Sequence, residues 1–254
     1  MKNQVYAKKK YGQNFLTDKN IINKIIALAD VKDKNIIEIG PGRGALTKEM
    51  VKEAKSLTCY EIDGDMVEIL TNEIKSDNFH LIHKDFLEVD LSNMQFSSVI
   101  ANIPYYITTD ILFKLFENAN KIDRAVLMVQ KEVAQRLVAS KNSPDYSKLT
   151  LSTNYISTPK LEFIVKSGSF SPAPKVDSAI ISLTFNKDFD KKDEMFEFFK
   201  LCFLARRKKL SFSLKTKYSN QTIEKAYKEL NLSDNIRIQQ LSLEEVIKLK
   251  EALD

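Results

Sequence analysis

Between residues 35 and 139 short apolar runs and helical patterns take turns, and that alternation limits the fold more than any other feature. "NIIEIG" (35–40) reads as a buried strand that opens into a glycine loop and a helix near Ala45–Lys55. "SLTCYEID" (56–63) gives a second strand and a helix from about Asp65 to Lys75. "FHLIHKDFL" (79–87) and "FSSVIAN" (96–102) give a third and a fourth. A helix over 109–118, a strand over "RAVLMVQ" (124–130) and a helix over 131–139 continue the series. Strands joined through helices imply an α/β fold with a mostly parallel sheet covered on both faces.

"SPDY" (143–146) breaks the alternation, and two strand-like runs, 161–168 and 178–185, flank the turn-rich "SFSPAPKVD" as an expected antiparallel pair on one edge. After the charged "NKDFDKKDE" the pattern becomes helical, with "SLEE" (242–245) a capping box that opens the last helix. The expected organisation is a catalytic domain over 1–188 and a small all-helical domain over 189–254. The chain has 254 residues, 43% of them hydrophobic, enough for a real core. Cys59 and Cys202 lie far apart in unlike contexts and read as free thiols. No run approaches the roughly 20 apolar residues of a membrane helix, and the N-terminus lacks a signal-peptide core, so a cytoplasmic protein without membrane contact is expected.

The net charge of +5 says less than its distribution. Phe198 to Ile223 holds no acid but carries Lys200, Arg206, Arg207, Lys208, Lys209, Lys215 and Lys217; Lys8, Lys9 and Lys10 form a second cluster. Such clusters suit a phosphate backbone, or are simply solvated helix faces.

Three of the six glycines, Gly40, Gly42 and Gly44, fall within five residues of "EIGPGRGALT". A strand that ends in Gly-x-Gly-x-Gly and opens a helix lets the backbone approach a ligand where no Cβ intervenes. The spacing is not G-x-G-x-x-G, and no Gly-Lys-Ser/Thr follows, which excludes a P-loop. Glu61 ends the second strand, where an acid accepts from ribose hydroxyls; Asp85 ends the third, suited to an adenine amino group; Asn102 ends the fourth. Polar groups at successive strand ends make a crevice site. Gly40 and Glu61 alone also allow a nicotinamide enzyme.

The corner "NIPY" (102–105) decides against that. An adenine amino group is a poor nucleophile because its lone pair is delocalised into the ring. Two acceptors on its hydrogens, the Asn102 side-chain oxygen and the Ile103 carbonyl, would free that pair, with Pro104 fixing the corner and Tyr105 offering a face for the base. The reaction would be in-line methyl transfer from a sulfonium, helped mainly by positioning. An isolated N-x-P-Y is also an Asn-capped turn; its place at a fourth strand end favours the chemical reading. Tyr106 is expected to pack in the core. His80 and His83 have no cysteine or carboxylate set beside them, so no metal is expected.

With these residues stated, the sequence closely resembles the rRNA adenine N6-dimethyltransferase family, the KsgA and Erm group. The match runs through "KKYGQNFLTD" (9–18), "EIGPGRGALT", "YEID", "KDFL", "NIPYYITTDIL", "MVQKEVAQRL" and "FSPAPKVDSAI" (170–180). The resemblance implies a Rossmann-like class I methyltransferase with a seven-stranded sheet and S-adenosylmethionine as cofactor. It implies a cofactor site of Asn14, Leu16, Gly40, Gly42, Glu61, Ile62, Asp85, Phe86 and Asn102, covered by the "GQNFL" segment. Phe170, on a proline-rigidified loop, reads from the residues alone equally as a core plug; the resemblance implies that it sandwiches a flipped adenine against Tyr105.

"CFLARRKKLSFSLK" (202–215) is similar to the KsgA-type helical-domain signature. This branch implies dimethylation of two adjacent adenosines in the 3′-terminal hairpin of 16S rRNA, on a pre-assembled small subunit, by a monomer. Arg206, Arg207, Lys208 and Lys209 would then dock RNA. The alternatives are an Erm-type 23S rRNA methyltransferase or a non-catalytic assembly factor. Three departures stand out: Ile103 where leucine is more usual, Arg43 where an apolar residue is common, and Ser147 in place of a glycine.

Overall fold

The computed structural model describes residues 7–8, 11–185 and 189–254. Lys9 and Lys10 of the second basic cluster lie outside them, as do three residues of the expected linker. By internal contacts the chain divides into two compact units. The first comprises residues 1–134 and 159–186, the second 135–158 and 187–254. The single boundary expected at 188 thus misses an excursion: residues 135–158 leave the first unit and belong with the C-terminal helices.

In the first unit, β1 (Phe15–Leu16) and α1 (Lys19–Ala29) precede β2 (Asn35–Ile39), α2 (Thr47–Met50), β3 (Ser56–Glu61), α3 (Gly64–Glu73) and β4 (Phe79–His83). β5 (Ser97–Asn102), α4 (Thr108–Glu117), β6 (Ile122–Gln130) and α5 (Lys131–Leu137) follow, α5 running into the second unit. After α6 (Lys148–Ile156) the chain returns as β7 (Thr158–Val165), β8 (Phe170–Ser171) and β9 (Ser178–Thr184). Seven strands form one sheet in the order β4-β3-β2-β5-β6-β9-β7, and β1 pairs with β8 apart from it. β4, β3, β2, β5 and β6 run parallel; β9 is antiparallel to β6. The strand order reverses between β2 and β5, so the crevice beyond their carboxyl ends is the natural ligand site of this topology.

Local chemistry explains the elements. Asp18 caps α1 by accepting from the Asn20 and Ile21 amides, and Ile22, Ile25 and Ala29 form its buried face. Ser97 to Ala101 of β5 are all buried, as a central strand covered on both faces requires. Two expected elements are shorter than read. The helix near Ala45–Lys55 is helical only over Thr47–Met50, with turns on either side, because Gly40, Gly42 and Gly44 hold positive φ and delay the helical start. The third strand ends at His83, and Asp85 instead caps a short 3₁₀ turn by accepting from the Leu87 amide at 2.9 Å.

The second unit has its own core, in which Tyr146, Leu151, Phe198, Phe199, Leu214, Tyr227 and Leu249 are buried. α7 (Lys192–Cys202), α8 (Leu210–Leu214), α9 (Asn220–Glu229) and α10 (Leu243–Leu253) build it with α6. Ser242 and Glu245 make the capping box expected for the last helix. Ser147 has extended backbone (φ −151°) and caps α6, so a serine serves where glycine was expected, with no left-handed conformation needed. No helix among the described residues is long and apolar enough to cross a membrane.

Candidate active site

A cleft open to solvent lies at the carboxyl ends of β2, β3 and β5. Asn14, Leu16, Gly40, Gly42, Glu61, Ile62, Asp85, Phe86, Asn102, Ile103, Pro104 and Tyr105 all line it. The topology thus gathers residues spread over 91 positions of sequence, from Asn14 to Tyr105, into one wall.

The floor is the glycine loop. A Cβ on Gly40 would meet nothing within 4 Å, so open space adjoins its backbone; its φ of +64° is one that L side chains rarely adopt. Gly42 is held from two sides. Its amide donates to Glu61 Oε2 at 3.0 Å, and a Cβ there would stand 3.1 Å from the Phe15 ring. The Arg43 guanidinium lies over that ring, 5.0 Å from its centroid, which gives the unusual arginine a partner. Glu61 also accepts from the Asp63 amide at 2.8 Å. Each carboxylate oxygen therefore has at least one backbone donor, and with about four lone-pair sites the group retains capacity for a ligand hydroxyl. Burial pushes the Glu61 carboxyl above the usual carboxylate range, against the pull of these amides.

Glu38, in β2 beneath the loop, is 2% exposed and also lines the cleft. Thr47 donates to its Oε2 at 2.7 Å and the Cys59 thiol at 3.3 Å. Burial raises its pKa to about 7. Sequence reading passed over it, although an acid inside the apolar run "NIIEI" was the available signal.

At the corner after β5, Asn102 Nδ2 donates to the Asn14 carbonyl at 3.1 Å. The bond uses one of the amide's two N–H donors on the N-terminal segment, and among the described residues nothing donates to Oδ1. The Ile103 side chain is buried and its amide donates to the Met128 carbonyl at 3.1 Å. Among the described residues nothing donates to the Ile103 carbonyl. Tyr105 is fixed by a 2.7 Å hydrogen bond between its hydroxyl and Ser178 Oγ at the start of β9.

Residues 11–16 form the opposite lip. Gln13 Nε2 and Lys8 Nζ donate to the two carboxylate oxygens of buried Asp63, at 2.8 and 2.6 Å, and Lys8 also pairs with Asp65. Burial opposes ionisation of Asp63, but the bonds from Lys8 and Gln13 outweigh it and hold its pKa low. Sequence reading placed Lys8 in a basic cluster and passed over Gln13 and Asp63; the pairing was hidden because each partner lies some 50 residues away.

Two expectations are corrected here. Tyr106 is not a core residue: it is 60% exposed and lines the cleft, beside Gly12, where a Cβ would stand 3.2 Å from its ring. Phe170 is not on the cleft wall. Pairing of β8 with β1 sets it opposite Leu16, and its side chain, 5% exposed, joins the buried cluster with Leu16, Val165 and Ile180. Among the described residues no three His, Cys, Asp or Glu side chains gather as a metal set.

A family model described as "Ribosomal RNA adenine dimethylase" matches residues 5–254. The chain belongs to that family. It is therefore an rRNA adenine dimethyltransferase on a class I methyltransferase fold. Among curated family relatives, "Ribosomal RNA small subunit methyltransferase A" of Mycoplasmopsis synoviae is 51% identical over 96% of this chain and 95% of its own. Its counterpart in Mycoplasmopsis pulmonis is 49% identical over 96% and 97%. A crystal structure of a dimethyladenosine transferase from Plasmodium falciparum superposes with a TM-score of 0.79 at 27% identity, over 92% of this chain and 95% of that one. The 23S rRNA methyltransferase ErmE follows with a TM-score of 0.72 at 29% identity, over 95% and 100%.

Proposed function

We propose that this dimethyltransferase uses S-adenosylmethionine to dimethylate N6 of two adjacent adenosines in the 3′-terminal hairpin loop of 16S rRNA, within the small ribosomal subunit. One observation carries the chemistry. At the end of β5 two acceptors, Asn102 Oδ1 and the Ile103 carbonyl, have no donor among the described residues and sit beside the Tyr105 ring. They would take the two hydrogens of an adenine amino group, localise its lone pair and aim it. Tyr105, fixed by Ser178, supplies the face on which the extruded base stacks.

The cleft fits the cofactor's parts. The open backbone at Gly40 accepts close approach, Glu61 keeps acceptor capacity for ribose hydroxyls, and Asp85 with Ile62 and Phe86 offers an acid and apolar contacts for a purine. When bound, the cofactor supplies the electrophilic methyl group. Asn14 and Leu16, on the N-terminal lip, cover it and keep water out. No strong base is called for, because the aminium product loses its proton to water.

The small subunit is favoured over 23S rRNA by the curated relatives, which are named small-subunit methyltransferases at 44–51% identity over most of the chain. Incubation with labelled cofactor and unmethylated small or large subunits tests this: label is expected in 16S rRNA. Label confined to 23S rRNA contradicts the substrate, and label in neither contradicts the activity.

A further inference from the structure

Two arginines that stand out in the sequence take different places. Arg206 turns inward: its Nη2 donates to the Ser143 and Pro144 carbonyls at 3.2 and 2.6 Å, bracing the 143–146 turn within the second unit. The expected RNA contact at Arg206 is therefore corrected; its guanidinium is committed to backbone. Arg43, a departure from the family pattern, is exposed and lines the methyl-transfer cleft.

Its charge is what distinguishes it there. Glu38, Glu61 and Asp85 line the cleft, but among the described residues only Arg43 and Lys84 bring a cation to it. The cofactor set implied by the resemblance contains none. S-adenosylmethionine carries a carboxylate on its amino-acid tail, a charge that is costly to take out of water unless it is paired. Lys84 adjoins Asp85 just beyond β4, at the end of the cleft that suits the purine. The tail belongs at the opposite end, because the sulfonium beside it has to face Asn102.

Arg43 sits at that opposite end. Asn102 donates to the Asn14 carbonyl, so the segment Asn14, Phe15, Leu16 lies against the reaction corner. The Phe15 ring reaches back to Gly42, and the Arg43 guanidinium lies over that ring. An aromatic platform takes a guanidinium by its face and does not engage its in-plane N–H groups. A bidentate pair with a carboxylate uses only part of those donors.

We propose that Arg43, stacked on Phe15, binds the carboxylate of the cofactor's amino-acid tail. The inference rests on the proposed use of S-adenosylmethionine and adds to its site a cation that the family pattern does not supply.

Calorimetry of the intact protein with S-adenosylmethionine, and with its decarboxylated analogue, which keeps the adenosine, sulfonium and ammonium, tests it. The unmodified protein is expected to prefer the compound that bears the carboxylate. Arg43→Leu, which places an apolar residue where the family commonly has one, should weaken S-adenosylmethionine roughly tenfold and leave the analogue no weaker. Arg43→Lys, with the charge but no planar fork, should fall between the two. An equal loss on both compounds would mean that Arg43 acts only through packing on Phe15, and would overturn the proposal. So would unaltered affinity of Arg43→Leu for S-adenosylmethionine, whether or not its binding to small subunits weakens. Either result leaves the proposed cofactor standing. Failure of the unmodified protein to bind S-adenosylmethionine would contradict that cofactor and overturn the proposal with it.

Discussion

Asn102 carries the sharpest residue-scale expectation. One of its amide N–H groups is held by the Asn14 carbonyl, and among the described residues its Oδ1 has no donor. Asn102→Ala should therefore lower the methylation rate by about 10²–10³-fold, the usual effect of losing one preorganised hydrogen-bonding group. Subunit binding, measured by co-sedimentation, should persist. Glu38 gives a pH signature. Its folded pKa, raised to about 7 by burial, exceeds its unfolded value, so its contribution to stability is full below the unfolded pKa and is lost as pH rises towards 7. Glu38→Gln should thus gain on the unmodified protein between pH 5 and pH 8, by about 2–3 kcal/mol. Melting curves across that range check it, and a constant offset would contradict it.

At the scale of elements, the glycine loop and the N-terminal lip act together. Gly42→Ala forces a non-glycine residue to φ +55° and drives a methyl towards the Phe15 ring. It should cost about 1–2 kcal/mol and weaken cofactor binding in calorimetry. Lys8→Ala releases the ion pairs to Asp63 and Asp65 and should weaken cofactor affinity and lower the melting temperature, because buried Asp63 loses its cation. The sequence showed the strands and the polar groups at their ends, because period and turn residues are local signals. It could not show that Phe170 turns into the core or that Tyr106 turns out. The first depends on β8 pairing with β1 across more than 150 residues and the second on Gly12, more than 90 residues away, packing beside the ring; an aromatic near a proline reads the same in either place.

For the molecule as a whole, the alternation of strands and helices made the seven-stranded sheet legible, and the resemblance supplied its chemistry. The division into units was only half legible. The charged linker before Lys192 marks the last of three crossings between units, but the first falls inside α5 and the second at the start of β7, where no composition change announces them. Basic charge in the second unit was visible as a run, while the inward turn of Arg206, between α7 and α8, and the outward ring of Phe212 on α8 follow from packing. The most direct test of the central claim is product analysis of 16S rRNA after unmethylated small subunits are incubated with the protein and S-adenosylmethionine. The account predicts N6,N6-dimethyladenosine at two adjacent positions near the 3′ end, absent with Asn102→Ala. Unmodified 16S rRNA, or modified adenosine found only in 23S rRNA offered alongside, would contradict it.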